Sequence, residues 1–380
     1  MKNPAPLQFK NGTFKIMAIG DLHEPFDLSD PPERRKTEDT LQLLNAALDR
    51  ERPDLAVFLG DQGKDDDEDK TREIFERILA PLKARGVPYA VVFGNHDPEC
   101  AVPLPRQLEL YREAYDNFYT FDGAPGVTGC GNCVLQVLDS AGEKNILNLW
   151  FADSLNRWAD ESVSYYDWMK PDQIEWYRKT EAEIRAANGG NTVPAVWFMH
   201  IPVPEERLLT RPARLYEHAF AVRGFGSRKG RLYVKRKGVK GYLGEDPACA
   251  EINSGIFDAW KERGDVMAAV FGHDHMNEFV GVVDGILLCQ CKTGGFHVYT
   301  DGCNAGVRIF TFNEENVHAF ETHMTHFKEL GLRSRSLGFV QRHFHDRQII
   351  NMHVAGALAA GLAAVGGGVL GLRKALRVKR

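Results

Sequence analysis

Five short motifs in the 380-residue chain carry residue types that bind metals and move protons. They are Asp21-Leu22-His23, Gly60-Asp61, Gly94-Asn95-His96-Asp97, His200 and Gly272-His273-Asp274-His275. Asp21, His23, Asp61, Asn95, His200, His273 and His275 offer carboxylate, amide and imidazole donors and no sulfur. That mixture suits divalent ions of intermediate hardness such as Mn, Fe, Zn, Co or Ni. Seven protein donors exceed the need of one ion. They match two ions roughly 3.5–4 Å apart that share a carboxylate, the arrangement used against phosphate esters. The i, i+2 spacing of Asp21 with His23, and of His273 with His275, lets both side chains reach one cluster from a looped backbone; on a regular strand it simply places them on one face. A single Gly-Asp or His-x-His reads as structural. Five such motifs in series point to a centre.

The elements that must position these motifs share one design. Phe14 to Gly20, Leu55 to Gly60, Tyr89 to Phe93, Ala195 to Met199 and Val266 to Phe271 are short apolar runs, each read as a buried strand that ends at a motif. The carboxyl ends of strands in an open α/β sheet are where ligands gather, and glycine there permits a sharp turn. Leu41, Leu44, Ala47 and Leu48 fall at helical spacing within 38–50. The first two strands are therefore expected to be parallel neighbours in a βαβ unit. A second helix is expected over about 71–85, and a hairpin joins 134–138 to 146–151. Residues 281–312 read as several antiparallel strands.

With the motifs in this order, the chain resembles the calcineurin-like metallophosphoesterase superfamily over about 14–312. Within it, the chain resembles the purple acid phosphatase 29-like and Dcr2-like branch, through MHIPVPE at 199–205, the run NSGIFDAWKERGDVMAAVFGHDHMNEF at 253–279, and LCQCKTGG at 288–295. The resemblance implies a four-layer α/β/β/α sandwich of two facing mixed β-sheets, with a dinuclear metal site at their loop edge. It implies that Asp21, His23 and His275 hold a first ion, that Asp61 bridges, and that Asn95, His200 and His273 hold a second. His96 is then a catalytic histidine outside the ligand set, and Asp97 orients it. Gln62 departs from the Asn that this branch carries after Gly-Asp. The implied cofactors are two divalent ions, Mn, Fe or Zn foremost. The implied activity is hydrolysis of phosphate esters, phosphomonoesters or small phosphodiesters. Two alternatives stay open: a non-catalytic scaffold on the same fold, and a phosphodiesterase acting on cyclic nucleotides or nucleic acid.

Composition excludes other classes. Apolar residues make up 43% and charged residues 26%, as in a soluble globular protein rather than a disordered or polytopic one. The net charge of −5 gives no whole-chain footprint for a nucleic-acid partner. Seven cysteines are too few for a disulfide scaffold. The amino-terminal residues do not form a signal peptide, so a cytoplasmic location is expected. Cys130, Cys133, Cys289 and Cys291 read as small core residues, and His297 as a buried residue or part of a substrate rim. Residues 220–244 contain no acid and eight Lys or Arg; they read as a solvated hairpin or as a positive rim for an anionic substrate. The expected division is a catalytic domain over 12–328, a polar linker over 329–353, and an apolar segment with a basic end over 354–380. Val354 to Leu372 is nineteen residues of Val, Ala, Leu and Gly, about 28 Å as a helix. Three readings stay open for it: an attachment to the cytosolic face of a membrane, a disordered tail, and a helix packed on the catalytic domain. The basic end favours a shallow attachment over a span.

Overall fold

The computed structural model describes residues 5–343 except residue 64, together with single positions between 356 and 365. In chain order the strands are β1 (Leu7–Gln8), β2 (Thr13–Ile19), β3 (Leu55–Phe58), β4 (Tyr89–Val91), β5 (Cys133–Leu138), β6 (Asn145–Phe151), β7 (Ala195–Met199), β8 (Thr210–Pro212), β9 (Val222–Arg223), β10 (Leu232–Lys235), β11 (Val266–Phe271), β12 (Val280–Val283), β13 (Ile286–Gln290), β14 (Gly306–Asn313) and β15 (Glu321–His326). The helices are α1 (Pro31–Glu51), α2 (Glu68–Lys83), α3 (Leu104–Ala114), α4 (Pro171–Ala187), α5 (Ile256–Arg263) and α6 (Phe339–His343). Two prolines in the first turn start α1, where a missing N–H costs nothing. Asp67 caps α2 by accepting the Lys70 N–H.

The strands form two large mixed sheets. One has the order β15-β14-β2-β3-β4 and the other β1-β5-β6-β7-β11-β13-β12. The βαβ unit is present, with Ile16 opposite Leu55 through Ile19 opposite Phe58 in parallel register. The central strands are buried on both faces, so they read as unbroken apolar runs rather than as alternating ones. Along β2, Ile16 and Ala18 join Val57, Val196, Phe198, Val270 and Phe310 in the core between the sheets. Met17 and Ile19 face the other way, onto Leu44, Ile74, Phe75 and Ile78 of α1 and α2. On the far side of the second sheet, Trp150 and Trp197 pack against Tyr177 of α4 and Trp260 of α5. The result is helices, sheet, sheet and helices in four layers.

Three features differ from, or add to, the sequence reading. Residues 281–312 are not simply antiparallel. β12 and β13 form an antiparallel hairpin, but β13 runs parallel to β11, and β14 crosses to the other sheet beside β2. The basic stretch supplies β9 and β10, which join β8 in a separate three-stranded sheet, β8-β10-β9. Packed structure also lies outside 12–328. β1 pairs with β5, and Asp39 of α1 accepts the backbone N–H groups of Arg335 and Ser336 and the hydroxyl of Ser334. All seven cysteines are free and buried. The apolar segment 354–372, with membrane attachment as one of its three readings, lies almost entirely outside the described residues; among the described residues, no helix is long and apolar enough to cross a membrane.

Candidate metal centre

β2, β3, β7 and β11 all end at the same edge, and the loops leaving them bring the motifs together. His200 sits at the middle. Its Nδ1 lies 2.6 Å from the Leu59 carbonyl oxygen, a contact that fixes the ring and leaves Nε2 facing inward. Around Nε2 stand Asn95 Oδ1 at 3.1 Å, His273 Nδ1 at 3.2 Å and Asp61 Oδ2 at 3.2 Å. Four lone-pair donors therefore converge on one point.

A second group adjoins the first. Asp21 Oδ1 lies 3.5 Å from His275 Nε2 and 3.9 Å from His200 Nε2. His23 Nε2 lies 3.7 Å from Asp61 Oδ2. Asp21, His23 and His275 form one group able to hold an ion, and Asp21, Asp61 and His200 form another. The two carboxylates are themselves held by backbone N–H donors, Asp21 by that of His273 and Asp61 by that of His96.

Asp21, Asp61, His200, Asn95, His273 and His275 are buried, and His23 is partly open. Buried side-chain atoms without a hydrogen-bond partner include Asp21 Oδ1, His23 Nε2, His273 Nε2 and His275 Nδ1. Buried polar atoms left unpaired are costly, and a cation would satisfy them. The residues present thus fit a metal pair of the expected kind. Electrostatics points the same way. Burial alone would lower the His200 pKa, but the Asp61 and Asp21 carboxylates overcome it and lift the imidazole to about 10. Burial opposes ionisation of Asp61, yet the neighbouring imidazoles, His200 first, hold its carboxyl below the usual range. Burial takes His23 down to about 4 and His273 well below an ordinary histidine, so both present neutral rings.

The backbone is strained at the same residues. Asp21, His23, Asp61 and His273 all have positive φ, between 39° and 70°, a region that non-glycine residues seldom enter. Such strain collects where surrounding structure holds residues to a task, and nothing in the sequence reading foresaw it.

A model of the calcineurin-like phosphoesterase family matches residues 14–277, well over half of the chain. The chain belongs to this family. The chain is also similar to "Probable inactive purple acid phosphatase 14" of Arabidopsis thaliana, 29% identical over 76% of this chain and 72% of the relative. It is 27% identical to "Phosphatase DCR2" of Saccharomyces cerevisiae over 82% of this chain and 54% of that protein. Among solved structures, a dimetal phosphatase from Danio rerio covers 83% of this chain and 99% of its own at 13% identity, with a TM-score of 0.49.

The position of His96 corrects one expectation. Asp97 does not orient the His96 ring. Its Oδ2 accepts the backbone N–H groups of Gly94 at 2.6 Å and Asp61 at 3.0 Å, fully inside the protein. Burial, then the charge of Asp61, raises the Asp97 carboxyl to about 7. The partner of His96 Nδ1 is Glu99 Oε2, at 2.8 Å. Residues 97–99 form one turn of 3₁₀ helix, in which side chains three apart eclipse. That turn sends Asp97 inward and returns Glu99 to the His96 side. The His96 ring lies 5.4 Å from that of His23, and both are more open than the other site residues, so the approach to the site runs past them.

Two aromatic rings complete the wall. Tyr166 stands edge-on to His273 at 4.5 Å, and Tyr299 stacks on His275 at 4.3 Å. Neither was legible as a site residue, because Tyr at loop positions carries no spacing signal. His297 is not on the rim. It is buried between Glu33, 2.9 Å from Nδ1, and the Thr37 hydroxyl, 2.9 Å from Nε2. The substituted Gln62 is buried and donates to the Gly60 carbonyl, bracing the turn that carries Asp61.

Proposed function

We propose that this chain is a dinuclear metal-dependent phosphoesterase that hydrolyses phosphomonoesters or small phosphodiesters. The observation that carries this reading is the convergence of Asn95, Asp61 and His273 on His200 Nε2, beside the adjoining Asp21, His23 and His275 group. In this proposal Asp21, His23 and His275 would hold one ion and Asn95, His200 and His273 the other. Asp61, whose Oδ2 faces both His23 and His200, would serve both. When bound, the two ions supply an activated water and neutralise charge growing on the phosphoryl oxygens.

The chain's own residues do the rest. His96 stands at the open side with one ring nitrogen held by Glu99, leaving the other to donate a proton to the leaving oxygen. Asp97 fixes the Asp61 and Asn95 loops against one another through the two N–H groups it accepts. Tyr166 and Tyr299 shield the ligand histidines from water, which strengthens the electrostatics inside. The word "inactive" in the name of the Arabidopsis relative describes that protein; the complete donor set supports activity in this one. The test is a panel of phosphomonoesters and phosphodiesters with Mn, Fe, Zn or Mg added separately. Metal-dependent release of phosphate or alcohol, abolished in Asp61→Asn and His200→Ala, is expected. A protein that binds two ions and hydrolyses none of the panel is a scaffold instead.

A further inference from the structure

The small sheet β8-β10-β9 carries two loops, 213–221 and 224–231. Ala213 N–H donates to the Leu232 carbonyl and Gly224 N–H to that of Arg231, so both loops leave the sheet at the end where β10 begins. Large exposed apolar side chains concentrate at the first loop. Leu215 is 84% exposed and Tyr216 71%, two neighbours rather than the isolated apolar residues that surfaces commonly show. Arg223, Lys229 and Arg231 are exposed at the same end of the sheet. Among the described residues, none of the three has a carboxylate partner. The sole acid in these loops, Glu217, is taken up by Arg211, whose two terminal nitrogens lie 2.8 and 2.6 Å from its carboxylate. A protein of net charge −5 thus gathers three exposed cations at the end of the sheet that carries two exposed apolar side chains, Tyr216 accepting from Arg214 through its hydroxyl.

We propose that these loops dock the protein on an anionic lipid bilayer, with Leu215 and Tyr216 entering the interface and Arg223, Lys229 and Arg231 meeting the headgroups. Charge selects an anionic partner. The apolar tip selects the bilayer among anionic partners, because an exposed Leu gains nothing from a phosphate backbone, whereas Leu and Tyr gain by leaving water at the headgroup boundary. The placement is purposeful for the site as well. Phe225, in the second loop, packs on Tyr166 at 5.7 Å, and Tyr166 touches His273. Docking would therefore hold the metal centre next to the membrane surface.

The experiment is cosedimentation of the full chain with vesicles, either pure phosphatidylcholine or phosphatidylcholine with about a third phosphatidylserine, at low salt and at about 0.1 M, where screening shortens electrostatic reach. Binding to the anionic vesicles, weakened by salt, is expected. Substituting Arg223→Ala, Lys229→Ala and Arg231→Ala together should weaken it roughly a hundredfold, about fivefold per cation. Leu215→Ser with Tyr216→Ser should weaken it even at low salt, which a purely ionic contact would not show. All five side chains are exposed, so an unchanged thermal transition is the control for folding. The proposal is overturned if the full chain stays in the supernatant. It is equally overturned if both variants bind like the wild type, as a tail-only attachment would give, or if a DNA duplex binds as tightly and Leu215→Ser with Tyr216→Ser leaves that binding unchanged.

Discussion

His96 and Asp97 are neighbours in sequence with separate tasks in space. His96 lies outside both ligand groups, its ring edge-on to that of His23 and bonded to Glu99, so His96→Ala should reduce turnover by about 10²–10⁴-fold, the range of acid–base groups, with metal content near that of the wild type. Loss of an ion from this variant, measured by elemental analysis, would make His96 a ligand. Asp97 instead satisfies two buried N–H groups. Its replacement by Ala strands both donors, each costing about 1–3 kcal/mol, so this variant should show a lower unfolding midpoint as well as lower activity. Asp97→Asn keeps an acceptor and should recover much of the stability. If Asp97→Ala were as stable as the wild type but slow, Asp97 would act on the chemistry and not on the loops.

At the scale of elements, the carboxyl ends of β2, β3, β7 and β11 set the site, and a single glycine shows how tightly. Gly60 has φ +91°, and a Cβ there would lie 2.5 Å from Gly94 N and 2.8 Å from His200 Nδ1. Gly60→Ala is therefore strained by its backbone and by two motifs at once. We expect a loss of about 2 kcal/mol or more and a fall in bound metal, read by denaturant unfolding and elemental analysis; wild-type values for both would mean that the β3 turn has slack. The elements bearing the motifs were legible in the sequence because their strands are buried on both faces and stop abruptly at Gly or, for β7, directly at His200. The donors therefore stood out at the ends of unbroken apolar runs. What sequence could not yield was direction. Adjacency suggested Asp97 as the partner of His96, but the 3₁₀ turn selects Glu99. Short apolar runs over 281–312 carry no sign of strand orientation, so the parallel pairing of β13 with β11 and the crossing of β14 to the other sheet went unseen. The strands of the small sheet, two to four residues long, are too short for any pattern.

At the scale of the molecule, a buried polar chain beneath the site ties the two sheets together. Glu206, just beyond β7, accepts from Gln290 Nε2 at 2.7 Å. The same amide nitrogen reaches Asp274 at 3.1 Å, and the Gln290 carbonyl accepts from Arg308 Nε of β14 in the other sheet at 2.9 Å. Burial raises the Glu206 carboxyl to about 8, with the Gln290 bond opposing and Asp246 assisting. The folded protein therefore holds a proton there that the unfolded chain releases near its ordinary value of about 4.5. Below that value Glu206 is protonated in both states and costs nothing. Between there and about pH 8 the folded state binds more protons than the unfolded one, and stability falls by up to about 1.4 kcal/mol per pH unit from this group. Above about pH 8 the penalty is constant. Glu206→Gln keeps an acceptor for Gln290 and cannot ionise. Its stability should therefore decline less than that of the wild type across this window, and the variant should be the more stable protein at the alkaline end. Urea unfolding of both proteins at several pH values checks this. The difference between the two curves reports Glu206 together with its effect on Asp274, the carboxyl that shares the Gln290 amide and is raised in part by the charge of Glu206, and parallel curves would mean that the Glu206 carboxyl is already ionised within the fold.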